Sequence, residues 1–129
     1  MDKASRKEIG KLGEDIATQF LEQKGFKILE RNYLRSWGEI DIIAERANIV
    51  RFVEVKALSY EQLPDISREN NNYRPEEQVH PAKLHKVART AEMYMNEKKD
   101  EREYQIDVVG VFMDRKRRKA RCRIFEGVI

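Results

Sequence analysis

The chain has 129 residues and is poor in several of them. Its one cysteine, Cys122, excludes an internal disulfide framework and suits a reducing compartment. With that cysteine, the two histidines, His80 and His85, are too few for a structural zinc site. Their spacing also misses the i, i+4 pattern of a helical metal pair. No apolar run approaches the length of a membrane span, so neither a transmembrane helix nor a membrane partner is expected. The first eleven residues are polar and charged, without the apolar stretch of a secretory signal, and the expected location is the cytoplasm. Repeats and interdomain linkers are lacking too. The length suits one domain, residues 1–129, able to bury a core without staples.

Charge, in contrast, is abundant. Charged residues make up 38% of the chain, yet apolar blocks such as residues 40–44 argue against disorder. The net charge of +3 conceals an asymmetry. Arg115, Lys116, Arg117, Arg118, Lys119, Arg121 and Arg123 place seven cations within nine positions, so the rest of the chain is net acidic. A concentrated basic patch on an acidic chain points to a polyanion, nucleic acid first. A solvated hairpin tip would have the same composition.

Hydrophobic periodicity orders the elements. Ser5, with Glu8 three residues on, forms a capping box for a first helix. Ile9, Leu12, Ile16 and Phe20 recur at helical spacing, Ala17 and Leu21 widen the stripe, and Gly25 supplies a stop. Residues 26–34, 39–44 and 49–57 read as strands. Residues 58–78 carry Pro64, Pro75 and the run Asn70-Asn71-Asn72, which makes a long loop expected to be mobile beside the site. A second helix starts at His80 with Pro81 in its first turn. It presents Leu84, Val87, Ala88, Ala91, Tyr94 and Met95 to the core. Strands at 104–113 and 121–125 flank the basic turn. The fold class is α/β, in the order α-β-β-β-α-β-β, and the strand after the second helix can return parallel to one of the first three.

The middle hairpin carries the chemistry. If it is symmetric about Ala47-Asn48, opposed residue numbers have a constant sum, Asp41 faces Glu54, and Glu39 faces Lys56. Opposed Cβ atoms lie roughly 4.5–5.5 Å apart, so two carboxylates there repel unless a cation intervenes. A hard divalent ion such as Mg²⁺ takes oxygen ligands and keeps several waters. Asp41 and Glu54 therefore read as metal ligands, with Lys56 placed to orient a water or bind a phosphate. The alternative is that Lys56 neutralises the pair on an open sheet face. Strands this apolar are expected in mid-sheet, where Asp, Glu and Lys rarely gather without a purpose.

These residues resemble a known family. Gly38-Glu39-Ile40-Asp41-Ile42-Ile43-Ala44 followed by Phe52-Val53-Glu54-Val55-Lys56 is similar to the core of the PD-(D/E)XK nucleases. The closer resemblance is to the YraN-like group, assigned to the endonucleases by similarity and itself similar to archaeal Holliday junction resolvases. It extends to Gly13-Glu14-Asp15-Ile16-Ala17, Gly25-Phe26-Lys27-Ile28-Leu29, Arg31-Asn32 and Lys83, and weakly to Asp107-Val108-Val109.

The resemblance implies a restriction endonuclease-like mixed sheet flanked by helices. Asp41, Glu54 and the Val55 carbonyl would hold Mg²⁺ or Mn²⁺. Lys56 would orient or deprotonate the attacking water, and Glu14 would complete the acidic site. On the helical wheel alone, Glu14 could equally be a surface carboxylate. The implied function is a metal-dependent endonuclease acting on DNA, with branched or junction DNA in view and a homodimer making paired cuts. Lys83, Arg115, Lys116, Arg117, Arg118 and Lys119 would contact nucleic acid. The sequence departs from the family's pattern where Ala57-Leu58 follow Lys56 instead of a basic residue, and in the long loop. The rival reading is a nucleic-acid- or partner-binding module with this fold and no turnover.

Overall fold

The computed structural model describes residues 3–59, 79–114 and 116–129. Among them run α1 (Lys3–Gln23), β1 (Lys27–Arg35), β2 (Gly38–Arg46), β3 (Ile49–Ser59), α2 (Pro81–Lys98), β4 (Tyr104–Asp114) and β5 (Lys119–Phe125). The order is the expected one. The strands form one mixed sheet in the order β1-β2-β3-β4-β5. The first three strands make an antiparallel meander, β4 lies parallel to β3, and β5 returns antiparallel to β4. The parallel step needs a long connection, and α2 lies within it.

Each helix covers one face of the sheet. On one side Ile9, Ala17 and Leu21 of α1 pack on Ile42, Ala44, Val53, Val109, Val111 and Met113. On the other, Val87, Ala91, Tyr94 and Met95 of α2 pack on Tyr33, Ile40, Ile43, Val50, Phe52 and Ile106. The central strands are thus buried on both faces, as their near-continuous apolar runs require. At one end of the sheet buried Arg51 pairs with Asp107 (3.2 Å) and Glu126 (2.6 Å). Asp107 also accepts from the Gly127 amide, which pins the C-terminal segment.

Local chemistry explains most of the boundaries. Gly25 adopts φ +89°, the Phe26 amide donates to the Leu21 carbonyl and the Gly25 amide to the Glu22 carbonyl, a Schellman end to α1. Pro81 occupies the first turn of α2, and His80 Nδ1 accepts the Ala82 N–H as the N-cap. Three expectations need correction. Helix α1 is already under way at Lys3, so Ser5 lies inside it and is not its cap. Leu12 is largely exposed, leaving a narrower apolar stripe than the spacing implied. Leu58 and Ser59 belong to β3, because β4 continues beside them and pairs Leu58 with Phe112 and Ser59 with Met113. The rest of the expected loop, residues 60–78, lies outside the described residues.

Candidate active site

The hairpin that builds the site has the expected register. Pairs run from Arg46 with Ile49 to Ile42 with Val53, and Ala47 and Asn48 both take positive φ, the two-residue turn that matches strand twist. Carrying the register one step further sets Asp41 against Glu54.

Strict alternation fails at Asp41. Ile40 joins Ile43 on the α2 side, whereas Ile42 and Ala44 face α1, so the strand changes face at this residue. Asn32, between the β1 residues that pair with Ile42 and Ile40, takes φ +53°. The Asp41 carboxylate reaches across the hairpin, where Oδ2 accepts the Val55 N–H at 2.9 Å.

Glu54 is only 4% exposed. Burial pushes its carboxyl up to about 7, helped by the charge of Asp41 and opposed by Lys83. Burial also raises the Asp41 carboxyl, against the pull of the Val55 amide and Lys83. The charge of Asp41 and the burial of Glu54 push in the same direction, as expected of adjacent carboxyls that resist ionising together. Glu14 reaches the same point from α1. Its Oε1 is buried with no hydrogen-bond partner among the described residues. Burial, then the charge of Asp41, raises its carboxyl, while Arg31 lowers it.

Two lysines complete the setting. Lys56, half-buried, lines a cleft of about 470 Å³ together with Glu54, Val55, Gly10 and Lys83. Lys83, in the first turn of α2, puts Nζ 2.8 Å from Glu54 Oε1. The structure thus brings together Glu14, Asp41, Glu54, Val55, Lys56 and Lys83. Among the described residues no three Asp, Glu, His or Cys side chains form a ready ligand cage. Asp41 and Glu54 are the oxygen donors available to a cation, with Glu14 behind them.

The sequence did not reveal the Lys83–Glu54 pair, although His80-Pro81 already fixed the start of the helix that delivers it. It also did not reveal why small residues meet above the site. A Cβ on Gly13 would fall 2.5 Å from the Ala57 Cβ, so α1 rests on β3 where a basic residue was expected to follow Lys56.

The basic cluster stands apart. Lys116, Arg117, Arg118 and Lys119 are exposed at the β4–β5 turn, and Arg115 lies outside the described residues. The Arg117 amide donates to buried Asp114, whose other carboxylate oxygen stands 3.7 Å from the Arg117 guanidinium. Because β4 runs parallel to β3, this turn lies at the same end of the sheet as the cleft. Six strand residues beyond the level of Glu54 correspond to about 20 Å. The strand-edge pattern of Cys122, Ile124 and Phe125 suits either a subunit interface or an intramolecular core, and partly buried Cys122 and Ile124 pack against the α1-side core. Burial raises the Cys122 thiol to about 11. No helix among the described residues is long and apolar enough to cross a membrane.

Residues 13–111, which hold every element of the site, match the family described as "Uncharacterised protein family UPF0102". The chain is 40% identical over 114 residues to a UPF0102 protein of Dictyoglomus turgidum, covering 87% of this chain and 88% of that one. It is 37% identical over 98 residues to one of Campylobacter hominis, covering 76% and 78%. It is 38% identical over 113 residues to one of Chloroherpeton thalassium, covering 86% and 80%. The chain belongs to the UPF0102 family.

Proposed function

We propose that the protein is a metal-dependent endonuclease that hydrolyses phosphodiester bonds in DNA, with branched DNA among its substrates. The observation that carries this reading is buried Glu54, with half-buried Asp41 beside it, at a cleft that Glu54 lines together with Lys56 and Lys83. The donor set fits Mg²⁺ or Mn²⁺. It offers hard oxygens, two carboxylates that resist sharing the space as anions, and an unpartnered Glu14 oxygen alongside. When bound, such an ion stabilises charge on the attacked phosphate and lowers the pKa of a bound water.

The protein's own residues do the rest. Asp41 and Glu54 hold the ion, with the Val55 carbonyl next to them in the chain. Lys56 orients the attacking water and draws charge from the phosphate. Glu14 keeps negative charge behind Asp41. Lys116, Arg117, Arg118 and Lys119 meet the phosphate backbone about 20 Å from the cut. Paired cuts in a junction would need two copies of the site, hence a homodimer. Cys122 and Ile124, on the edge strand, are partly buried against the protein's own core.

The second reading, a binding module without turnover, is favoured by one feature. Lys83 already neutralises Glu54 from within the chain. The test is incubation with duplex, single-stranded and four-way-junction DNA, and with RNA, each in Mg²⁺, Mn²⁺ or EDTA. Metal-dependent cleavage of DNA supports the enzyme. No cleavage of any substrate supports the binding module.

A further inference from the structure

The Lys83–Glu54 pair joins two unequal partners. The Glu54 side chain is 6% exposed and that of Lys83 is 52% exposed. The carboxylate is held in a buried strand, and the Lys83 backbone is fixed as well, its amide donating to the His80 carbonyl at 2.9 Å. What remains free to move is the lysine's four-carbon stem, half in water. It also has a place to go. Lys83 forms part of the wall between two recesses, the cleft that holds Glu54 and Lys56 and an outer one lined by Glu39, Ala82, Lys86 and Val87. Lys86 stands one turn along the same helix, so an outward-turned Lys83 would make a pair of cations at i, i+3.

We propose that Lys83 is the resident cation of Glu54, and that it gives up this carboxylate to a divalent ion and turns outward to bind a nucleic-acid phosphate. The inference rests on the nuclease reading of Asp41 and Glu54. An ammonium 2.8 Å from Glu54 Oε1 occupies the position a metal ligand must leave open. Two cations cannot share that oxygen without strong repulsion. Lys83 keeps its positive charge in both positions. It couples the two ligands, and the coupling is reciprocal: metal strengthens nucleic-acid binding and nucleic acid strengthens metal binding.

The test measures binding. Free Mn²⁺ is followed by electron paramagnetic resonance while it is titrated into wild type, Lys83→Met, Lys83→Gln and Lys83→Arg, all without nucleic acid. Loss of the competing cation should tighten Mn²⁺ binding about tenfold in both neutral variants, equivalent to about 1.4 kcal/mol. Lys83→Arg should stay within about twofold of wild type. In a second arm, affinity for a short DNA duplex is measured against salt in Ca²⁺ and in EDTA. Lys83→Met should flatten the logarithmic slope by about 0.9 in Ca²⁺ and leave it unchanged in EDTA. Unchanged or weaker Mn²⁺ binding in both neutral variants, with wild type still taking up the ion, overturns the exchange and leaves the metal site standing. No Mn²⁺ uptake by wild type overturns the metal reading and the exchange with it.

Discussion

Replacing Glu54 by glutamine in the metal-free protein should change how stability depends on pH. The Glu54 carboxyl has an ordinary value of 4.5 and lies at about 7 in the fold, pushed there by burial first and by Asp41 second. A carboxyl with a raised value binds its proton more tightly when folded. The fold therefore loses stability as pH climbs from about 4.5 to about 7 and carries the full penalty above that. A gap of about 2.5 pH units corresponds to about 3 kcal/mol. Glutamine keeps the shape and has no charge to desolvate. The pull of Lys83 is already contained in that value of about 7. The expectation is a variant about 3 kcal/mol more stable than wild type at pH 8 and nearly equal to it at pH 4.5. For a chain of this size that is a rise in Tm of roughly 10 °C at pH 8. Thermal unfolding followed by circular dichroism in EDTA across this range measures it, and the other titrating groups largely cancel in the difference. Adding Mg²⁺ at pH 8 should stabilise wild type and not the variant. A difference that is constant with pH, or a variant less stable at pH 8, would refute the reasoning.

Three other outcomes follow from particular contacts. Gly13→Ala places a Cβ 2.5 Å from that of Ala57. It should push α1 off β3 and lower stability by about 1–3 kcal/mol in urea unfolding, whereas Gly10→Ala, with nothing within 4 Å, should not. Replacing Arg117 and Arg118 together by alanine should flatten the salt dependence of duplex binding by up to about 1.8 in logarithmic slope, while single-turnover cleavage at saturation stays unchanged. The Cys122 thiol, raised to about 11 by burial, should react with a disulfide reagent at pH 7.5 far more slowly than free cysteine.

Much of this was legible in the sequence because the relevant signals are local. The β2–β3 register follows from two hydrophobic runs and a two-residue turn, and the paired residues match it. Pro81 and Gly25 mark helix ends by their own backbone chemistry. The change of face at Asp41 was hidden, because strict alternation keeps Ile40 on the side of Ile42 and Ala44, whereas it packs with Ile43. The extension of β3 to Ser59 was hidden as well, since its partner is supplied by β4, about fifty residues later. At the site, the hairpin register indicated that Asp41 and Glu54 meet. The 2.8 Å contact of Lys83 with Glu54 could not be read, because no periodicity fixes how a helix docks on a sheet.

The central claim is that Asp41, Glu54 and Lys56 form one metal-dependent hydrolytic site. Its most direct test compares cleavage of the best DNA substrate in saturating Mn²⁺ by wild type, Glu54→Gln and Lys56→Ala, with Mn²⁺ affinity measured on the same samples. The account predicts that Glu54→Gln loses both cleavage and Mn²⁺ binding. Lys56→Ala should lose at least about a hundredfold in rate, the scale expected of a lost general base, while binding Mn²⁺ within about twofold of wild type. Cleavage by both variants at the wild-type rate would contradict it.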